Sequence, residues 1–202
     1  LFLGGGRTRK CYLFPNRPDL CIKIFNDFTT LSQKRNDFRE MIYLHNVLLR
    51  KHFNDYMSEP VGIVITNLGL GYVFEVIRDY GGPISKSLSA ILEDRVLMKK
   101  NFNKVVSAIK AFKKVCWDNA LVTRNTNPDN LLLQEKSSQD TKLVLIDDWG
   151  SNSFIPIEYS SKILARKKLQ RYWDKLAAFI ERYESEDALK IASIWRYKSC
   201  RK

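Results

Sequence analysis

Leu143-Val144-Leu145-Ile146-Asp147-Asp148-Trp149-Gly150 is the stretch that decides how this chain is read. A short run of branched apolar residues bounded by turn formers reads as a buried β-strand. A carboxylate that directly follows such a strand emerges at its C-terminal end, a position from which it can reach a bound ion. Magnesium takes hard oxygen ligands and keeps part of its water shell, so one carboxylate and one amide oxygen beside phosphates suffice to hold it. Asp147 is the preferred carboxylate because it follows the apolar run directly, and Asp148 is the alternative. The amide is Asn130, at the end of Arg124-Asn125-Thr126-Asn127-Pro128-Asp129-Asn130.

Working outward toward the N-terminus, the chain carries groups suited to polyphosphate. Leu3-Gly4-Gly5-Gly6 is a glycine cluster beside a strand. Without a Cβ at Gly4, Gly5 and Gly6, backbone N–H groups can approach phosphate oxygens closely. Arg7 and Arg9 follow and can add charge. In Cys21-Ile22-Lys23-Ile24 the lysine alternates with apolar neighbours, so it occupies a different face from theirs. It is the candidate ligand of the α- and β-phosphates. Glu40 lies between Phe38 and Met41-Ile42 on the next helical segment, near its buried side, where a carboxylate needs a cation; Lys23 is the expected partner. Phe74-Glu75-Val76-Ile77 ends a strand before Gly81-Gly82, and backbone groups of Glu75 and Val76 are candidates to hydrogen-bond an adenine. Read alone, each motif has an ordinary explanation as a turn, a surface lysine or a helix cap. Their order along one chain resembles that of a protein kinase, and that resemblance implies a nucleotide site.

The segments between these motifs define an α+β organisation. Cys11–Phe14 and Cys21–Phe25 read as a hairpin around a Pro-containing turn, after an entry strand. Leu31, Phe38, Ile42, His45, Leu48 and Leu49 recur at helical spacing, and Val61–Thr66 and Tyr72–Ile77 read as two more strands. Asp79-Tyr80-Gly81-Gly82-Pro83 punctuates the chain and is the candidate hinge between an N-terminal domain over 1–78 and a helical C-terminal domain over 79–202. In the second domain Ser85–Met98 reads as one helix, and Phe102 to Cys116 as the next. A last long helix is expected from Tyr159 to Tyr183, with Tyr172 and Trp173 as core contacts.

Composition sets the partners. The 202 residues carry a formal charge of +12, with 45% hydrophobic and 12% aromatic content, so the chain is an ordinary globular one that favours anionic ligands. Its cations are dispersed rather than gathered in a disordered arm. Arg166-Lys167-Lys168 reads as a solvated face able to touch anionic lipid or a partner. With no recognition helix, stacking motif or zinc framework, nucleic acid is disfavoured as a partner. No apolar run reaches the roughly 18 residues of a membrane span. The first residues read as a strand entering a loop, not as a signal peptide. Leu1 in place of Met predicts that the sequence starts within a longer protein. His45 and His52 lack a third ligand and read as surface or packing residues. Cys11, Cys21, Cys116 and Cys200 fit neither a zinc site nor a disulfide scaffold. Cys11 and Cys21 are expected to face each other across the hairpin as thiols, in a reducing, cytoplasmic compartment.

Taken together, these residues resemble the eukaryotic-protein-kinase-like superfamily. More closely, Leu3-Gly4-Gly5-Gly6-Arg7-Thr8-Arg9-Lys10-Cys11-Tyr12, Cys21-Ile22-Lys23, Thr66-Asn67-Leu68-Gly69-Leu70-Gly71, Ile146-Asp147-Asp148-Trp149-Gly150, Phe154-Ile155-Pro156-Ile157 and Ala165-Arg166-Lys167-Lys168 resemble the bacterial PhoP regulatory network protein family (YrbL-like). The resemblance implies a small two-lobed protein-kinase-like fold: an N-lobe antiparallel sheet with one helix, and a reduced helical C-lobe. It implies ATP and Mg2+ as cofactors. Gly4 and Gly6 match the superfamily's glycine pattern, whereas Arg9 occupies the place of its last glycine. Asn125 stands where a kinase carries its catalytic aspartate. An amide can orient a hydroxyl but cannot accept its proton, a loss worth about 10²- to 10⁴-fold in rate. Two expectations follow. One is a phosphotransferase, slowed at Asn125, acting on a polar or anionic acceptor. The other is a pseudokinase, a nucleotide-responsive module whose basic surface engages a regulatory protein.

Overall fold

Strand register builds the N-terminal part of the molecule. The computed structural model describes residues 1–48, 53–124, 127–151 and 153–196, which fall into two compact units. The first comprises Leu1–Asn54 and Ser58–Ile77. In it β1 (Phe2–Gly5), β2 (Arg9–Phe14), β3 (Arg17–Phe25), β4 (Pro60–Thr66) and β5 (Gly69–Glu75) form an antiparallel sheet in the order β1-β2-β3-β5-β4. The helix α1 (Leu31–Leu48) is inserted between β3 and β4. β3 is central, and Leu20 to Ile24 are all buried. Alternation sends Leu20, Ile22, Ile24 and Val73 to one face, where Tyr12, Phe14 and Val64 pack on them. Cys21, Lys23, Tyr72 and Phe74 belong to the other.

α1 is turned differently from the sequence expectation. Leu31, Phe38 and Ile42 are exposed, and Asp37, Glu40, Leu44 and Val47 are buried instead. Two acids on the buried side follow from their cation: the guanidinium of Arg9, itself buried, reaches Asp37 Oδ2 and Glu40 Oε2 at 3.6 Å each. Leu49 and His52 lie outside the described residues, and His45 is exposed.

The second unit comprises Asp55–Met57 and Arg78–Lys202. Its elements are β6 (Lys86–Ser87), α2 (Leu88–Glu93), α3 (Arg95–Asp118), β7 (Leu131–Glu135), β8 (Thr141–Leu145), α4 (Lys162–Ile180) and α5 (Glu186–Arg196). The segment 85–98 is not one helix. Asp94 is extended, and its carboxylate accepts from the N–H groups of Val96 and Leu97, so α2 ends there and a capped α3 begins. β8 is the strand expected at Leu143–Ile146, whereas its partner β7 and the helix α5 were not apparent in the sequence. Phe112 on α3 sits at the middle of the aromatic core, with ring centroids 6.2 Å from both Trp149 and Trp195; Trp173 is 6.3 Å from Trp195. Lys113 is buried, donating to the carbonyls of Ile194 and Trp195 on α5 at 2.7 Å each. Among the described residues no helix is long and apolar enough to cross a membrane.

The sheet's tightest point is Gly71, where an added Cβ would lie 2.4 Å from Ile22 Cγ2. Gly71→Ala is expected to lower stability by about 1–3 kcal/mol through overpacking, read as a lower urea midpoint at unchanged slope. Gly62→Ala, whose Cβ meets nothing within 4 Å, should stay within about 0.5 kcal/mol of the parent.

Candidate functional site

Each unit carries its own group of candidate residues. In the first, Gly4 and Gly5 belong to β1, and Gly6 opens the loop to β2, closed by donation from Gly6 N–H to the Arg9 carbonyl at 2.9 Å. Neither packing nor backbone conformation demands glycine at 4 or 6. Both have φ outside the left-handed region, and a Cβ at either would meet open space. Two residues that sequence reading missed hold this loop in place. Asn26 Nδ2 donates to the Gly6 and Arg7 carbonyls at 3.3 and 3.1 Å, and Thr29 Oγ1 donates to Thr8 O at 2.7 Å. Both lie just past β3, where composition offers no signal. The Arg9 guanidinium, next to this loop, is paired with Asp37 and Glu40 of α1.

Lys23 is 8% exposed, and its ammonium lies over the Phe74 ring at 4.3 Å. Strand pairing sets Cys11 opposite Lys23 and Leu13 opposite Cys21, so the two cysteines are diagonal neighbours rather than a directly facing pair. They are free thiols, Cys21 buried and Cys11 partly so. The Cys11 thiol, hydrogen-bonded to Cys21, is pushed well above the usual thiol range. That same bond, with Lys23 nearby, lowers Cys21 to about 7. Burial raises the Tyr72 phenol, and the Asp37 charge adds to the effect. At the end of β5, Glu75 N–H donates to Glu59 O and Val76 N–H to Asp19 O at 2.8 Å, while Glu75 O accepts from Ser58 Oγ. The N–H groups of Glu75 and Val76, among the backbone groups expected to meet an adenine, are engaged within the unit.

In the second unit the register of β7 on β8 pairs Leu131 with Leu145, and Ile146 N–H donates to Asn130 O at 2.9 Å. Asn130 and the two aspartates thus leave opposite ends of one hairpin side by side. Asn130 Nδ2 donates to Asp148 Oδ2 at 3.0 Å, while Asp147 Oδ1 accepts from the Asp148 N–H at 2.8 Å. The preference for Asp147 rested on strand geometry alone. It is Asp148 whose carboxylate meets Asn130. Asp148 has φ 67°, a left-handed conformation uncommon outside glycine. The conformation is held by the Arg124 N–H donating to Asp148 O at 2.6 Å, the Gly150 N–H donating to Val122 O at 2.7 Å, and buried Trp149, whose indole donates to Leu145 O. The Arg124 guanidinium lies 4.0 Å from Asp147 Oδ1 and 3.9 Å from Asp148 Oδ1. Asn125, expected at the place of a kinase's catalytic aspartate, lies outside the described residues.

This donor set, one amide oxygen with one or two carboxylates, fits magnesium, which needs few protein ligands when waters and phosphates complete its shell. Among the described residues no group of three or more His, Cys, Asp or Glu is placed to hold a metal. Below the site a buried cluster anchors the following segment. Lys168, expected on a solvated face, is 5% exposed and donates to Ser151 Oγ at 2.6 Å and to Glu158 Oε1. Burial pushes the Glu158 carboxyl up, but the hydrogen bonds from Lys168 and Ser151 outweigh it and hold the group at about 2. A depressed carboxylate contributes stability above its unfolded value near 4.5, and that contribution is lost as pH falls toward 2. Glu158→Gln should cost about 3–5 kcal/mol at neutral pH by leaving Lys168 buried without its anion. In urea melts the gap from the parent should close between pH 4.5 and 2; a pH-independent gap would contradict the assignment.

The chain was compared with known proteins. Residues 1–181 match the family model described as PhoP regulatory network protein YrbL. The chain is 30% identical over 192 residues to the uncharacterized protein YrbL of Escherichia coli (strain K12), covering 94% of this chain and 86% of that protein. It has the same identity and coverage with the uncharacterized protein YrbL of Shigella flexneri. A match spanning residues 1–181 carries every candidate residue named above, and the chain belongs to the PhoP regulatory network protein YrbL family.

Proposed function

We propose that this chain is a two-lobed, protein-kinase-like Mg-ATP-binding protein that transfers phosphate to a polar or anionic acceptor, with transfer slowed at Asn125. The observation that carries the reading is Asp148, held left-handed with its carboxylate on Asn130 and beside Asp147 and Arg124. Strained backbone is retained where surrounding structure over-determines it, and it clusters at functional sites. Lys23 supports it as a cation on the central strand of the sheet that also carries the glycine loop. Gly4 and Gly6 support it as well, since nothing in the chain's own packing requires glycine there.

In this reading the backbone near Gly4, Gly5 and Gly6 and the Lys23 ammonium receive the phosphates, while Asn130 with Asp148 or Asp147 holds Mg2+. The ion neutralises charge on the phosphates when bound. Glu40, with Arg9, sets the charge balance behind Lys23. Asn125 orients the acceptor hydroxyl without taking its proton, and phosphoryl transfer depends chiefly on positioning and charge neutralisation. The second reading, a pseudokinase acting within the PhoP regulatory network by nucleotide-dependent binding to a regulatory protein, is favoured by Asn125 alone.

The test is thermal unfolding with ATP and Mg2+. At about a hundred times its dissociation constant a ligand adds roughly 2.7 kcal/mol, a rise of about 5–10 °C for a chain of this size. Lys23→Met and Asp148→Asn should each remove most of that shift, and Asp147→Asn less of it. No shift in the parent would sink the nucleotide reading. If the shift is present, Asn125→Asp should raise ATP turnover by about 10²-fold or more; unchanged turnover would favour the pseudokinase.

A further inference from the structure

Among the described residues from Ser151 to Tyr159, polar and apolar side chains are placed opposite to the usual way. The polar groups turn inward: Lys168 Nζ on α4 gathers Ser151 Oγ, Ser153 Oγ and Glu158 Oε1, and the Tyr159 hydroxyl accepts from Ser151 N–H at 2.7 Å. The apolar groups turn outward: Phe154, Ile155 and Ile157 are 80%, 67% and 58% exposed. A loop that faces only water would hide these side chains and solvate the polar ones. The first turn of α4 continues the apolar surface with Ile163 and Leu164, 68% and 38% exposed. The buried Lys168 cluster ties the loop to this same end of α4.

Cations predominate along this part of α4, with exposed Asp174 as the next acid. Lys162, Lys167 and Arg171 are exposed on α4. From Ser153 to Trp173 the only acid is Glu158, which is buried and paired with Lys168. An exposed apolar group flanked by a majority of cations is an arrangement that enters the interface of an anionic bilayer. The aliphatic and aromatic groups reach the acyl boundary, while lysine and arginine meet the headgroups. A second copy of the chain would set the same cations against each other. We infer that Phe154, Ile155, Ile157 and Ile163, with Lys167 and Arg171, form a peripheral docking surface for an anionic membrane. The inference rests on the second unit alone and does not depend on nucleotide binding.

The experiment is co-sedimentation of the full chain with vesicles of mixed phosphatidylglycerol and phosphatidylcholine, and with phosphatidylcholine alone. The parent should partition onto the anionic vesicles and not the neutral ones. Phe154→Ser/Ile155→Ser should weaken partitioning at least tenfold without lowering the melting temperature, since both side chains are exposed. Lys167→Ala/Arg171→Ala should weaken it roughly 30-fold, two charges at about 1 kcal/mol each. Failure of the parent to bind, or equal binding by Phe154→Ser/Ile155→Ser, would overturn the proposal; the latter would leave only diffuse attraction by the +12 chain. Retention on polyglutamate with none on anionic vesicles would overturn it in favour of an acidic protein partner.

Discussion

The register of β7 on β8 is the constraint on which the candidate metal ligands depend. Asn130 precedes one strand and Asp147-Asp148 follow the other. They meet because Leu131 pairs with Leu145 and Ile146 bonds back to Asn130. A slip of one residue would reverse every side chain on β8 and carry the aspartates to a different depth from Asn130. The register is secured by burial, since Leu131, Leu143, Val144 and Leu145 are all almost fully enclosed. Trp149 then locks the turn beyond the strand from within the aromatic core, and Asp148 accepts its left-handed backbone as the consequence.

Buried charge is the second organising feature. Arg9 with Asp37 and Glu40, Lys113 with the carbonyls of Ile194 and Trp195 on α5, and Lys168 with Glu158 are all enclosed. Each joins elements distant in sequence. Such ties are poor sources of net stability, but leaving one member without its partner is costly. They therefore act as demands on arrangement: the helix face of α1, the end of α5 and the fold of the 151–159 segment are each set by where a cation finds its anion or carbonyl. Lys168 also explains how a loop can present apolar groups outward, because its polar atoms are already satisfied inside.

The strands of the first sheet were legible because β-branched and aromatic residues gather in short runs bounded by turn formers, as at Cys11–Phe14, Cys21–Phe25 and Val61–Thr66. α1 was legible as a helix, but its orientation was not. Periodicity favoured the face with Phe38 and Ile42, and the buried acids of Asp37 and Glu40 could be recognised only once Arg9 was seen beside them. The break at Asp94 was missed because the apolar pattern runs through it, whereas the cap depends on one extended residue. β7 and α5 were missed because short apolar runs carry no periodicity that separates strand from helix.

The amino-acid sequence by itself determined which chemistries are available: a lysine on a buried strand, an asparagine and two aspartates bordering short apolar runs, and glycines before a basic loop. These are local properties, written in residue type and spacing. Only the tertiary structure decided partnership. It set Asp148 rather than Asp147 on Asn130, turned Arg9 to α1, placed Lys168 inside, and left Phe154 and Ile155 outside. The reason is that burial and charge pairing are settled between segments far apart in the chain, where the cost of an unpaired charge outweighs any local preference.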